Sequence, residues 1–170
     1  AQQLLLQARS AIEQFGNPNN RAANRDSLVG ALIPALNNAE AGGDHQLAFV
    51  KNISGLARTP EHIELLKGWL SGSSTPSGLV VDTDLRWQLV ARLVALGELP
   101  ESAIDEELAR DNTAGGQRQA ASARAGIPTA AAKTAAWTAV VENEDLANAL
   151  LESTVGGFSQ PDQRELLTPY

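Results

Sequence analysis

Apolar residues return at three- and four-residue steps along almost the whole chain, and no stretch alternates apolar with polar over the length of a strand. A period near 3.6 lays such residues along one stripe of an α-helix, whereas a half-buried strand needs a period of two. The pattern therefore commits the chain to helices packed on helices. Leu5, Ala8, Ile12 and Phe15 predict an amphipathic helix over residues 2–15 that stops before Gly16-Asn17-Pro18. Leu28, Leu32 and Leu36, flanked by Val29 and Ile33, predict a second over about 20–38, with Pro34 expected to kink it or shift its start. After Gly42-Gly43, Asp44 is the expected N-cap of a helix over 45–57, whose face carries Leu47, Val50, Ser54 and Ala57. Thr59-Pro60-Glu61 then supplies a cap, a proline at the first helical position and an early acid, ahead of Ile63, Leu66 and Leu70.

Residues 71–81 are rich in Ser, Gly, Thr and Pro and read as one long loop separating helical sets 1–70 and 82–170. Beyond it, Asp82 or Thr83 caps a helix with two apolar stripes: Leu85, Leu89, Leu93 and Leu96 on one, Trp87, Val90 and Val94 on the other. A helix apolar on two faces is expected to lie between neighbours. Gly97 ends it, Ile104 and Leu108 mark a short helix to about Arg110, and Thr113 caps another that Gly126 closes. Lys133, Trp137 and Val141 share a four-residue spacing over about 129–142, Leu146, Leu150 and Leu151 mark a further short helix, and Pro161 to Leu167 begins the last. Links mostly under six residues make neighbours antiparallel. The expected architecture is all-α: one helical domain over 1–170, built of stacked hairpins in a HEAT- or armadillo-like curved superhelix, although no sharp internal repeat is visible.

Composition narrows the function. Ala and Leu dominate the 43% hydrophobic fraction, aromatics contribute only 4%, and the net charge is −7. An acidic surface repels phosphate backbones, which excludes a nucleic-acid partner. No run approaches the roughly 20 apolar residues of a membrane-crossing helix. The absence of Cys removes disulfides and thiolate metal sites and fits a reducing, cytoplasmic setting. With no Met even at position 1, the chain reads as cut from something longer.

The residues offer no catalytic constellation. Only two histidines occur, His45 and His62, too far apart in sequence for a His-Glu-x-x-His zinc turn, and both read as partly exposed helix residues. No Gly-x-Ser-x-Gly elbow supports a triad from Ser54, His45 and Asp44. Glu106-Glu107 and Glu142, Glu144 and Asp145 read as solvated helix surface or caps. Gly42-Gly43 and Gly156-Gly157 read as turns, and Gly115-Gly116 as a turn or a close helix contact. The Asn52-Ile53-Ser54 sequon falls inside a helix and reads as chance. Trp69, Trp87 and Trp137 sit beside apolar positions and read as core. Arg86 and Lys133 lie next to such positions and either are exposed on a groove or snorkel, their stems along apolar surface and their charges in water.

Asp82-Thr83-Asp84-Leu85-Arg86-Trp87, then Ile104-Asp105-Glu106-Glu107-Leu108-Ala109-Arg110-Asp111 with Thr113 and Gly116, continue into Ala125-Gly126-Ile127-Pro128, Lys133 to Trp137, and Gly157-Phe158 through Pro169-Tyr170. In this order and spacing the chain resembles the C-terminal helical domain of bacterial aminopeptidase N, most of all its actinobacterial branch. The resemblance rests on residues 79–170, and over 1–78 on position and helical character. It implies a zinc-dependent exopeptidase that removes N-terminal residues from peptides, with metal and general base in a separate domain. Neither the His-Glu-x-x-His motif of that domain nor its Gly-x-Met-Glu-Asn substrate motif is present here, so no catalytic or metal-binding residue carries over. The implied role is a helical bowl over the catalytic domain of the same parent chain, closing a chamber around peptide substrate. Arg86 and Lys133 are then the expected groove contacts to a peptide's C-terminal carboxylate or acidic side chains. The alternative is an independent HEAT-like adaptor for a protein partner.

Overall fold

The computed structural model describes residues 2–170, Gln2 through its backbone alone. Among the described residues ten α-helices follow one another: α1 (Gln2–Ser10), α2 (Arg21–Asn37), α3 (Asp44–Leu56), α4 (Pro60–Ser71), α5 (Thr83–Ala95), α6 (Ser102–Arg110), α7 (Ala114–Ala125), α8 (Ala130–Val141), α9 (Asn148–Phe158) and α10 (Arg164–Leu167). No strand occurs among the described residues, as the helical period requires. The backbone gathers into two compact units, Ala1–Leu85 and Arg86–Tyr170.

In the first unit α2 packs on α3. Leu32 and Leu36 of the first predicted stripe and Val50, Ser54 and Ala57 of the second are buried, Leu28 and Leu47 are only half-buried, and Val29, Ile53 and Leu56 beside the stripes are buried as well. Gly43, not Asp44, holds the N-cap position of α3, and Asp44 becomes the acid of its first turn. Thr59 caps α4 as expected, its Oγ1 accepting from His62 N at 3.3 Å. Helix α2 runs through Pro34 to Asn37, the proline lying close enough to its end to remove only a late hydrogen bond.

The first helix departs from its predicted stripe. Leu5 is buried, yet Phe15 is 83% exposed and Leu4 and Leu6 also stand in solvent. The cause is a π-turn over Ala11–Phe15, closed by Gly16 N donating to Ala11 O at 2.7 Å. A wider turn advances the following side chains by less than 100° each, so Phe15 is rotated off the line of Leu5 and Ala8.

In the second unit α5 is buried on both predicted stripes, with Leu89 and Leu93 on one and Trp87, Val90 and Val94 on the other. Gly97 ends it in the left-handed region, φ 77°. Helices α7 and α9 cross closely because their facing residues are small. A Cβ at Gly157 would stand 1.9 Å from Ser122 O. Gly156-Gly157 is therefore not a turn: both residues lie inside α9, and the second is the close helix contact. Helix propensity was outweighed by packing, since only a missing Cβ lets the two backbones meet. Gly157→Ala is expected to lower unfolding free energy by roughly 1–3 kcal/mol in urea titrations. Gly156 has nothing within 4 Å, so Gly156→Ala should instead raise it by roughly 0.5–1 kcal/mol. Equal effects at the two positions would show that the crossing tolerates a side chain.

Candidate functional site

Arg86 projects from α5 onto α6. Its Nε donates to Glu107 Oε1 at 2.9 Å and its Nη2 to Oε2 at 2.7 Å, a two-pronged pair. Hydrogen bonding to Glu107 raises the arginine's pKa, outweighing the opposing effect of burial. Glu107 is 3% exposed, so the solvated carboxylate expected at this position is instead an interior anion neutralised by Arg86. One residue on, Trp87 Nε1 donates to Asp111 Oδ2 at 2.8 Å, while Thr113 Oγ1 donates to Asp111 Oδ1 at 2.7 Å. Neighbouring residues of α5 thus hold the end of α6 at two points.

Lys133 is not at a surface. It has no exposed area; its Nζ donates to Ala125 O at 2.6 Å and Phe158 O at 2.9 Å and lies 5.4 Å from the Phe158 ring centroid. Ala125 is the last residue of α7 and Phe158 the last of α9, so the ammonium meets the negative ends of two helix dipoles. Burial pushes its pKa down to about 8. Beside it, Gln163 Nε2 donates to Ala95 O at 2.9 Å and Gly126 O at 2.8 Å, which joins the end of α5 to that of α7. The expected groove contact is therefore a tie inside the unit, because the carbonyls at helix ends need donors that the helices themselves lack.

The remaining candidates sort by burial. Trp69 and Trp87 are core, as expected, but Trp137 is 38% exposed and stacks at the surface with Tyr170, ring centroids 5.2 Å apart, and with Phe158 at 6.2 Å. His45 is exposed, whereas His62, in the first turn of α4, is buried, not partly exposed. Asn52 is buried, its Nδ2 donating to Ala48 O at 2.8 Å, so the sequon amide is engaged within its own helix. A cleft of about 510 Å³ opens over α7 and α8, walled by Ala121, Ala125, Ala132, Ala136 and Ala139 with Arg124 and Glu101. Small apolar walls can seat apolar side chains. Among the described residues no three His, Cys, Asp or Glu side chains gather as a metal site.

A family model described as the ERAP1-like C-terminal domain matches residues 1–170. The chain belongs to this family. Aminopeptidase N of Streptomyces lividans is 48% identical over 169 residues, which make up 99% of this chain and 20% of that protein. The chain thus spans about one fifth of this curated relative's length. The likeness extends through residues 1–78, where position and helical character alone had carried it.

In this ERAP1-like C-terminal domain the residues that carried the resemblance are joints of the fold. Asp82 Oδ1 caps α5 by accepting from Leu85 N at 2.9 Å. Thr113 caps α7 by accepting from Gly116 N at 3.1 Å, and a Cβ at Gly116 would fall 1.9 Å from Asp111 O. Gln163, which sequence reading passed over, makes two of the interior ties; its only signal was an amide placed just after a Pro-Asp turn start, too weak to single out.

Proposed function

We propose that the chain is the accessory, non-catalytic C-terminal domain of a zinc aminopeptidase that removes N-terminal residues from peptides. The single observation that supports this is its 48% identity, across 99% of its length, to one fifth of an aminopeptidase N, within a family described as a C-terminal domain. In this reading the 170 residues form one HEAT-like array whose concave side closes the substrate chamber of the same parent chain and limits which peptides enter. In this reading zinc belongs to the catalytic domain of that parent; among the described residues of this chain no three His, Cys, Asp or Glu side chains gather. The setting is cytoplasmic, consistent with a chain free of Cys; no helix among the described residues is long and apolar enough to cross a membrane. Arg86 remains a groove contact here only through what its Glu107 pairing leaves available, and Lys133 acts by holding helix ends.

Exposed apolar residues such as Leu4, Leu6 and Phe15 are the natural docking surface toward the rest of the parent protein. Removing residues 1–170 from the full enzyme should therefore change its dependence on peptide length more than its hydrolysis of a single-residue amide substrate, after the truncated enzyme has been shown to be folded by circular dichroism. A folded truncated enzyme that hydrolyses short and long peptides alike at the parent rate would overturn the chamber role.

A further inference from the structure

Helix α8 presents no charge to solvent. Ala131, Thr134, Ala135, Trp137, Thr138 and Val141 are exposed, while its single charged residue, Lys133, is turned inward and has no exposed area. Each of the other α-helices among the described residues exposes at least one charged residue, as Arg118 does on α7 and Glu152 on α9. A helix apolar on all sides belongs between neighbours, yet only Lys133 and Ala136 of α8 are buried. Where α8 stops, the chemistry reverses. Glu142, Glu144 and Asp145 follow Val141 directly; all are exposed, and among the described residues they take part in no ion pair. We propose that the exposed face of α8 is a docking surface for a basic amphipathic segment of a partner protein, its apolar side chains on α8 and its cations at Trp137 and the acidic rim.

A protein interface is depleted of charge at its centre, enriched in Trp and Tyr, and polar at its edge. The surface of α8 has each of these parts. Trp137 and Tyr170, both 38% exposed, stack with centroids 5.2 Å apart. The cleft of about 510 Å³ has Ala132, Ala136 and Ala139 in its wall, which leaves room for an apolar side chain of the partner. The charge of the occupant follows from what surrounds the face. Glu142, Glu144 and Asp145 have no cation of their own, and the faces of exposed aromatic rings also attract cations. Arg124, at the edge of the cleft, is already paired with Asp105 at 2.6 Å. A second copy of the chain would set a net charge of −7 against −7 and bring the same acidic rim with it. The surface lies within the second unit and stands independently of the peptidase reading.

The test is fluorescence anisotropy of a labelled peptide of about four helical turns, with Leu and Ala along one face and Arg along the other, titrated with the 170-residue chain. This peptide should bind saturably at one per chain, and a counterpart with Glu in place of Arg should not. Ala135→Arg sets a bulky like charge in the middle of the face and should weaken the affinity roughly tenfold or more. Thr138→Arg gives the same reading if the first variant fails to fold. Glu142→Gln, Glu144→Gln and Asp145→Asn combined should weaken binding roughly fivefold and flatten its dependence on salt. No saturable binding of the Arg peptide, equal binding of both peptides, or an affinity unchanged in Ala135→Arg would overturn the proposal. So would sedimentation equilibrium showing that the chain alone dimerises and that Ala135→Arg restores the monomer, since the face would then belong to a second copy.

Discussion

Trp87→Ala is expected to lower the unfolding free energy by about 3–5 kcal/mol, near the top of that range. The indole is 1% exposed on a helix buried along two stripes, so truncation leaves a cavity that neither neighbouring stripe can fill without moving the other. The change also removes the donor to Asp111 Oδ2, leaving that oxygen to find water in a half-buried position while Oδ1 keeps Thr113. Trp87→Phe separates the two contributions: it retains much of the apolar volume and loses the hydrogen bond to a charged acceptor, for about 1.5–3 kcal/mol. Urea titrations followed by far-ultraviolet circular dichroism avoid deleting the fluorescent probe along with the residue. An Ala variant as stable as the parent would mean that the indole packs against nothing that depends on it.

Why the tryptophan was legible and the lysine was not follows from where each signal is written. Trp87 belongs to a periodic pattern, with Val90 and Val94 three and seven residues on, and the period alone turns its side chain inward. The caps at Thr59, Asp82 and Thr113 were equally readable because a cap acts on an amide two or three residues away. Lys133 shares a helix face with Trp137, yet its burial is decided by the carbonyls of Ala125 and Phe158, which are 8 and 25 residues distant. Glu107 is similar, since its acidic neighbour Glu106 is exposed and only Arg86, 21 residues back, draws it inward. Gly157 lies further still from local reasoning: a residue that disfavours helices sits within one because Ser122 of another helix needs the space. Local periodicity thus fixes which elements form and which face they bury, while ties between helix ends depend on contacts that no local pattern encodes. At the π-turn over Ala11–Phe15 local reading failed within its own range, because a single inserted residue per turn leaves the apolar spacing looking intact.

Lys133→Ala is expected to cost about 3–5 kcal/mol at pH 7, combining a cavity where the four-carbon stem packed with the loss of a donor to the buried end of α7. Ala125 O loses the ammonium outright, whereas Phe158 O still accepts from Gln160 N at 3.1 Å. Lys133→Met is the sharper experiment because it fills the stem's volume and removes only the charge and its donors. Burial has lowered the lysine's pKa from 10.5 in a solvated chain to about 8 in the fold. At pH 7 both states hold the proton, and confining the ammonium costs the fold about 3 kcal/mol, since each pKa unit is worth about 1.4 kcal/mol. Between pH 8 and 10.5 the unfolded chain keeps a proton that the folded one has released, so the unfolded state binds more protons and stability rises with pH. Above 10.5 both are neutral and the gain is complete; the uncharged amine can still donate to both carbonyls. The parent's stability relative to Lys133→Met should therefore climb by up to about 3 kcal/mol from pH 7 to 10.5, and subtracting the variant removes the titration of Tyr170 and the other lysines from the comparison. A difference that stays flat across that interval would show that the helix ends and the Phe158 ring compensate fully for burial and that the ammonium is held at its ordinary pKa.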